Sequence, residues 1–363
     1  MADELVRRWV RPEIRALSAY HVPDAGGMVK LDAMENPWSF EGEARQGWLE
    51  ALAGVEVNRY PDPAAGRLKG ALREAFGVPA GAELLLGNGS DEIIQMLCMA
   101  VAGPDRVVMA PEPSFVMYRM IATFCGMPYH GVPLRADDFA LDGEALLAAI
   151  RDRQPALLFL AYPNNPTGNL FDRELMERVL DQAPGLVVVD EAYSAFTDET
   201  FLPLAGERPN LLVMRTLSKM GLAGLRLGWL AGPAVWIAEL EKIRLPYNIN
   251  SLTQAGASWA LEHREILDRQ TARLRQERAR LLERLAALPA IHPWPSEANF
   301  ILFRTPAGCA DALFDGLKGR GILIKNLSPA GGPLRDCLRV TVGRPEENDA
   351  FLDALTALLA DRS

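Results

Sequence analysis

A chain of 363 residues, 49% hydrophobic and 23% charged, is too long for one small core, so one large domain plus a lesser one is expected. A formal net charge of −9 argues against a general nucleic-acid binder, because phosphate backbones attract a basic face. No apolar run approaches the roughly 18 residues of a membrane span, and the start Met-Ala-Asp-Glu-Leu-Val-Arg-Arg lacks a signal-peptide pattern. Cys98, Cys125, Cys309 and Cys337 are scattered, as are His21, His130, His263 and His292. Reduced thiols in a cytoplasm therefore fit better than disulfides, and no His/Cys cluster has metal-ligand spacing.

In chain order, residues 1–30 read as a short helix and an extended arm, broken by Pro12 and Pro23 and carrying Tyr20. Lys30 to Trp38 ends in an Asn36-Pro37 turn, where Asn36 either serves the turn or faces a ligand. Asn58 to Pro63 is a proline-fixed loop around Tyr60, and Gly66 to Phe76 has the spacing of a helix. Glu83 to Glu92 reads as strand, glycine turn and helix start, with Ser90 or Asp91 as the N-cap. The free N–H groups of such a start form an anion site, although by itself the pattern favours an ordinary capped helix, since strand-turn-helix units with glycine are common.

Arg106 to Phe115 is a short apolar strand leading into a loop, and Phe115 is either core or a platform for a flat ring. Pro155 to Pro163 is a buried strand running into the turn Asn164-Asn165-Pro166-Thr167-Gly168. A helix over Glu174 to Leu180 precedes the strand Val187–Asp190, which ends in a carboxylate with Tyr193 three residues on. Leu211 to Met214 then leads to Thr216, Ser218 and Lys219 on a polar turn, with Arg226 beyond. A lysine there is either a solvated surface group or a Schiff-base lysine, a role that suits an amine readily stripped of its proton. Alternation of buried runs and helices argues for a mostly parallel α/β sheet, and such sheets bind ligands outside the carboxyl ends of their strands. Ser90, Phe115, Asn165, Asp190, Tyr193 and Lys219 all fall just after an apolar run. A pyridoxal phosphate (PLP) enzyme needs such a lysine together with an acidic partner for the ring nitrogen.

Glu262 to Leu288 reads as one long helix with Leu267, Leu274, Leu281 and Leu285 on its apolar stripe. Short strands follow at Asn299–Arg304, Gly321–Asn326 and Cys337–Gly343, and a helix over Glu346 to Ala360 closes an α+β part. Arg339 stands in an otherwise apolar or β-branched strand, so it needs an anionic partner: either a structural ion pair or a substrate carboxylate or phosphate. Lys325 has a weaker form of the same pattern.

With these motifs in this order, the chain resembles fold-type I PLP-dependent aminotransferases, most of all the histidinol-phosphate aminotransferase family. The resemblance runs from Leu31-Asp-Ala-Met-Glu-Asn-Pro through Arg59-Tyr-Pro-Asp, Gly87-Asn-Gly-Ser-Asp-Glu, Pro113-Ser-Phe-Val-Met-Tyr, Asn164-Asn-Pro-Thr-Gly, Asp190-Glu-Ala-Tyr and Thr216-Leu-Ser-Lys to Cys337-Leu-Arg-Val-Thr-Val-Gly. It implies an arm over 1–30, a large domain over 31–265 with a mostly parallel seven-stranded sheet, and a smaller α+β domain over 266–363. It further implies that Lys219 holds PLP and moves the proton, that Asp190 keeps the ring nitrogen protonated, and that Asn165 and Tyr193 bond the ring's phenolic oxygen. Phe115 would stack on the ring. Ser90, Asp91, Ser218 and Arg226 would hold the phosphate, helped by Tyr60 from the partner of a homodimer with shared active sites. Arg226 follows Lys219 by seven residues, where some relatives have eight.

Arg339, Lys325, Tyr20 and Asn36 are the implied substrate contacts. The implied reaction is ping-pong transfer between L-histidinol phosphate and 2-oxoglutarate, giving glutamate, in cytoplasmic histidine biosynthesis. Two other activities share the motifs: an aromatic amino acid aminotransferase, which Lys325 in place of the arginine of some relatives leaves open, and a threonine-phosphate decarboxylase. A non-catalytic regulator would have no need of the complete Lys219, Asp190, Asn165 and Tyr193 set.

Overall fold

In the computed structural model, which describes residues 1–19 and 23–361, continuous apolar runs become the strands of a central sheet. The first strand in the chain, β1 (Val29–Lys30), lies elsewhere. The central sheet has seven members: β2 (Ala82–Asn88), β3 (Val108–Glu112), β4 (Tyr129–Pro133), β5 (Leu157–Ala161), β6 (Leu186–Asp190), β7 (Leu211–Thr216) and β8 (Leu227–Pro233). Their spatial order is β2-β8-β7-β6-β5-β3-β4. Only β8 runs against the rest, pairing antiparallel with both β2 and β7.

Alternate residues of each strand enter different apolar clusters. Leu158, Val187, Val189 and Val213 join one, and Leu157, Val188, Leu212 and Met214 the other. Both faces are therefore covered, as a parallel sheet with helical crossovers requires. β5, β6 and the first four residues of β7 are apolar except at Asp190, which ends β6. A carboxylate at that depth is costly unless it serves a partner.

A second sheet, antiparallel, follows in sequence: β9 (His292–Pro293), β10 (Phe300–Arg304), β12 (Lys325–Asn326) and β13 (Cys337–Thr341), in the order β12-β13-β10-β9. It has its own core, in which Phe300, Phe303, Leu338 and Val340 pack with Leu274, Leu281 and Leu285. Those three leucines come from the helix Arg264–Ala286, so the expected apolar stripe is the buried one. The strand expected over Gly321–Asn326 divides. β11 (Ile322–Leu323) pairs parallel with β1, and after Ile324 the chain changes partner, so that β12 pairs antiparallel with β13.

The long helix expected over Glu262–Leu288 is the helix Arg264–Ala286; a further helix, Ser251–Glu262, precedes it and is separated from it at His263. The His263 backbone leaves helical values at φ −118°, ψ 35°, and its Nδ1 folds back to 2.8 Å from the Trp259 carbonyl. That ring contact occupies an acceptor at the end of the first helix. The helix Gly66–Phe76 has the expected bounds, with Gly77 in the left-handed region at its end. Among the described residues, no helix is long and apolar enough to cross a membrane.

Candidate active site

The carboxyl ends of β5, β6 and β7 and the helix that follows β2 converge on one cleft. Ser90, Asp91, Phe115, Asn165, Asp190, Tyr193, Ser218, Lys219 and Arg226 all line it.

Lys219 stands on a 3-10 turn, Ser218–Met220, just beyond β7. Its amine donates to the Ala33 carbonyl at 3.3 Å and lies 5.9 Å from the centre of the Tyr193 ring. Burial, with Arg339 and Arg226 nearby, brings its pKa down to about 8 despite Glu35 and Asp91. The free, nucleophilic amine therefore forms near neutral pH. Schiff-base formation between the cofactor-free protein and a small aldehyde should rise about tenfold per pH unit up to about pH 8 and level off above it, when followed by borohydride trapping at Lys219. An ordinary lysine would still be gaining rate at pH 10.

Asp190 ends β6, one strand over. Its Oδ2 accepts from the Tyr118 hydroxyl at 2.6 Å and its Oδ1 from the Ala192 N–H at 3.1 Å. Burial pushes its pKa up to about 6, and the Tyr118 hydrogen bond works in the opposite direction. A cationic N–H placed beside it would restore the carboxylate. Tyr193 is buried, its ring edge-on to Phe300, and burial raises its hydroxyl above the usual range. Phe115 is only half-buried, with its ring edge against Tyr118 at 5.5 Å between centroids.

The helix Gly89–Val101 starts two or three residues earlier than expected. Its N-cap is Asn88, so neither Ser90 nor Asp91 caps it; both lie within its first turn. The Glu92 carboxylate reaches back to the Asn88 N–H at 2.6 Å, no side chain of the N-cap covers the first turn, and Ser90 and Asp91 of that turn line the cleft, so its N–H groups are available to an anion there. Gly228 lets β8 approach this turn, since a Cβ there would lie 2.7 Å from the Ser90 nitrogen. Arg226, with φ +50°, brings its guanidinium 3.6 Å from Asp91 Oδ2. Asp91 Oδ1 is buried and has no hydrogen-bond partner among the described residues, and burial raises its pKa. N–H groups, a serine hydroxyl and an arginine around one concavity suit a phosphate.

Arg339 is buried on β13. It donates to the Asn165 amide oxygen and, at 3.1 Å, to the Asp32 carbonyl, and it lies over the Phe300 ring. Asn165 is thereby oriented, leaving its NH₂ as the end available to a ligand oxygen. Lys325 pairs with Arg339 across β12 and β13 without lining the cleft. The Asn36 amide is spent internally: Nδ2 donates to the Met220 carbonyl and to Gln270, and Oδ1 accepts from the Trp38 N–H. Its turn reading holds. Tyr60 is 80% exposed and does not line the cleft. Tyr20 lies outside the described residues.

Three contributors escape sequence reasoning. Tyr118, one helical turn past Phe115, reads as a core aromatic. The carbonyls of Asp32 and Ala33 are backbone atoms and carry no side-chain signal.

A lysine whose amine frees near neutral pH, a buried carboxylate one strand away and an anion cradle at a helix start form the site of a PLP-type transferase. The chain belongs to the aminotransferase class I and II family, whose sequence model matches residues 31–355. It is 58% identical to histidinol-phosphate aminotransferase 2 of Nitrosococcus oceani over 98% of this chain and 99% of that one. It is 55% identical to the histidinol-phosphate aminotransferase of Chromobacterium violaceum over 96% and 98%. Among solved structures, the histidinol-phosphate aminotransferase of Sinorhizobium meliloti in complex with pyridoxal-5'-phosphate is similar with a TM-score of 0.86 and 25% identity, covering 98% of each chain. The L-threonine-O-3-phosphate decarboxylase of Porphyromonas gingivalis gives 0.77 and 25%, over 92% of this chain and 100% of that one.

Proposed function

We propose that this chain is a histidinol-phosphate aminotransferase, moving an amino group between L-histidinol phosphate and 2-oxoglutarate with PLP as cofactor. The observation that carries the reading is the cleft itself, which joins Lys219, Asp190 and the Arg226 cradle to a buried Arg339. The relatives' names supply the substrate. The donor set fits the cofactor: an amine for its aldehyde, a carboxylate for its ring nitrogen, and N–H groups with Arg226 for its phosphate. Bound PLP supplies the electron-withdrawing ring that makes the substrate's Cα–H acidic.

Lys219 binds the cofactor, then takes the proton from the substrate's Cα and returns one during the transfer. Asp190, oriented by Tyr118, holds a proton on the ring nitrogen. Asn165 and Tyr193 bond the ring's phenolic oxygen, and Phe115 covers one face. Ser90, Asp91, Ser218 and Arg226 surround the phosphate, where the N–H groups of the helix's first turn add a favourable dipole. Arg339 anchors the carboxylate of glutamate in one half-reaction and the substrate phosphate in the other, with Lys325 adding charge beside it and Tyr20 completing the substrate side; Asn36, its amide spent on Met220, Gln270 and Trp38, serves the turn instead.

Replacing Arg339 by lysine keeps the charge and loses the planar fork. KM should rise for both substrates by roughly 10–100-fold, the scale of about 1.5–3 kcal/mol for hydrogen bonds to a charged group. The cofactor absorbance should be unchanged. Steady-state kinetics on both half-reactions check this, and a rise confined to one substrate would separate the two anchoring roles.

We also assign an arm over 1–30, a large domain over 31–265 and a small one over 266–363, working in the cytoplasm as a homodimer. Exposed Val57, Tyr60, Leu245 and Tyr247 suit a subunit contact, from which Tyr60 reaches the cofactor phosphate of the partner.

The test is the visible spectrum of the purified protein. L-histidinol phosphate should convert the PLP band to the pyridoxamine form, and 2-oxoglutarate should bring it back. A band that responds only to tyrosine or phenylalanine would make the chain an aromatic aminotransferase, and release of carbon dioxide from threonine phosphate would make it a decarboxylase. A protein that binds no PLP would overturn the reading altogether.

A further inference from the structure

Tyr60 and Tyr247 stand away from the cleft of their own protomer and form a unit. Their rings stack with centroids 4.5 Å apart and planes 17° from parallel. Tyr247 presents its ring from a left-handed backbone, φ +63°, a conformation that disfavours any residue with a Cβ. Such strain persists where the surroundings over-determine it, and it concentrates at functional positions.

Here the next residue supplies the restraint. Asn248 donates to Glu92 Oε2 at 2.9 Å and to the Leu86 carbonyl at 3.1 Å, and its own carbonyl accepts from Asn88 Nδ2 at 2.7 Å. Arg244 grips the Asn248 side chain at 2.9 Å and the Pro63 carbonyl at 3.0 Å. Gln254 donates to the Asp62 carbonyl at 2.9 Å. The strap 244–254 is thus rooted at the start of the helix Gly89–Val101, and the loop carrying Tyr60 hangs from it.

We infer that Tyr247 is a positioning residue, a fixed aromatic platform that aims the Tyr60 hydroxyl at the cofactor phosphate of the partner subunit. The inference rests on the reading of Tyr60 given above. A free tyrosine side chain on a loop samples several rotamers, and ordering it on binding costs entropy. A preformed stack removes that cost before the subunits meet. The strap also references the ring to the rigid end of β2, so the aim is set by the sheet and not by the loop alone.

The test uses holoenzymes of wild type, Y60F, Y247A, Y247F and the double variant Y60F/Y247A, dialysed against graded PLP, with the dissociation constant read from cofactor absorbance. Y60F and Y247A should each weaken PLP binding by about tenfold or more, the scale of one hydrogen bond to a charged group. The double variant should be no weaker than Y60F, because both changes remove one interaction, and Y247F should match wild type because it keeps the ring. An equal further loss from Y247A in the Y60F background would mark a general structural effect and overturn the proposal. Loss in Y60F with wild-type affinity in Y247A would leave Tyr60 in the partner's site and reject Tyr247. Wild-type affinity in Y60F would remove Tyr60 from that site, and the proposal with it. Should Y247A fail to fold, Y247L keeps apolar bulk without a flat face; loss in Y247L and none in Y247F is the expected pattern, and equal affinity in both would reject the platform.

Discussion

Replacing Lys219 by alanine should lower transamination by at least about 10⁴-fold, because one amine both binds the cofactor and carries the proton. The amine is tied to the Ala33 carbonyl and lies beside Arg339, at a depth where it sheds its proton near pH 8. Among the described residues, no other lysine lines the cleft. The variant should still take up PLP through the Arg226 cradle, but with the spectrum of the free aldehyde. Single-turnover kinetics with L-histidinol phosphate measure the loss, and full turnover in the variant would overturn the mechanism.

Asp190→Asn should lower activity on the order of 10²–10³-fold, the scale for losing one electrostatic partner of a developing charge. An amide cannot hold the ring nitrogen protonated, while the Tyr118 oxygen still finds an N–H donor. The same variant should be no less stable than wild type in its cofactor-free form above pH 6. The sign follows from linkage. Asp190 is pushed up to about 6 from an ordinary 3.8, so its stabilising protonation is complete below pH 3.8 and lost as pH rises through 6. Asparagine has no such loss. Urea melts at pH 5 and pH 8 check this: the wild type should lose stability between them relative to the variant, while its activity is far higher. A site that destabilises its own empty fold is the expected signature of a carboxylate kept for chemistry.

Much of the site could be read from the chain because parallel strands covered on both faces become unbroken apolar runs, and their ends then mark where ligands bind. Val187–Asp190 and Leu211–Lys219 are such cases. What escaped reading has three physical sources. Some contributors are backbone carbonyls, as at Asp32 and Ala33. Some pairings join residues far apart in sequence, such as Arg339 with Asn165, where neither neighbourhood encodes the other. Others depend on which side of an element a ring takes. Tyr118 reads as core until its hydroxyl is seen on Asp190, and Tyr247 reads as an ordinary loop residue until its φ is known. The change of partner at Ile324 was hidden for a related reason: the apolar run continues through it, although the hydrogen-bond pattern does not.

The short β1 pairing has a consequence for how this protein is made. Val29 and Lys30 find their partners at Ile322 and Leu323, and the Asp32 and Ala33 carbonyls meet Arg339 and Lys219 just beyond. Val29, Lys30 and Asp32 therefore wait for partners translated long after them. Closing so long a loop costs more entropy than closing any of the local turns of the large sheet. The sheet, with Lys219 and Asp190 at its strand ends, can order before Ile322 to Arg339 have been translated, at a typical rate of about 5–20 residues per second. The finished cleft cannot: it is sealed in one late step, when Val29 to Asp32 meet Ile322 to Arg339.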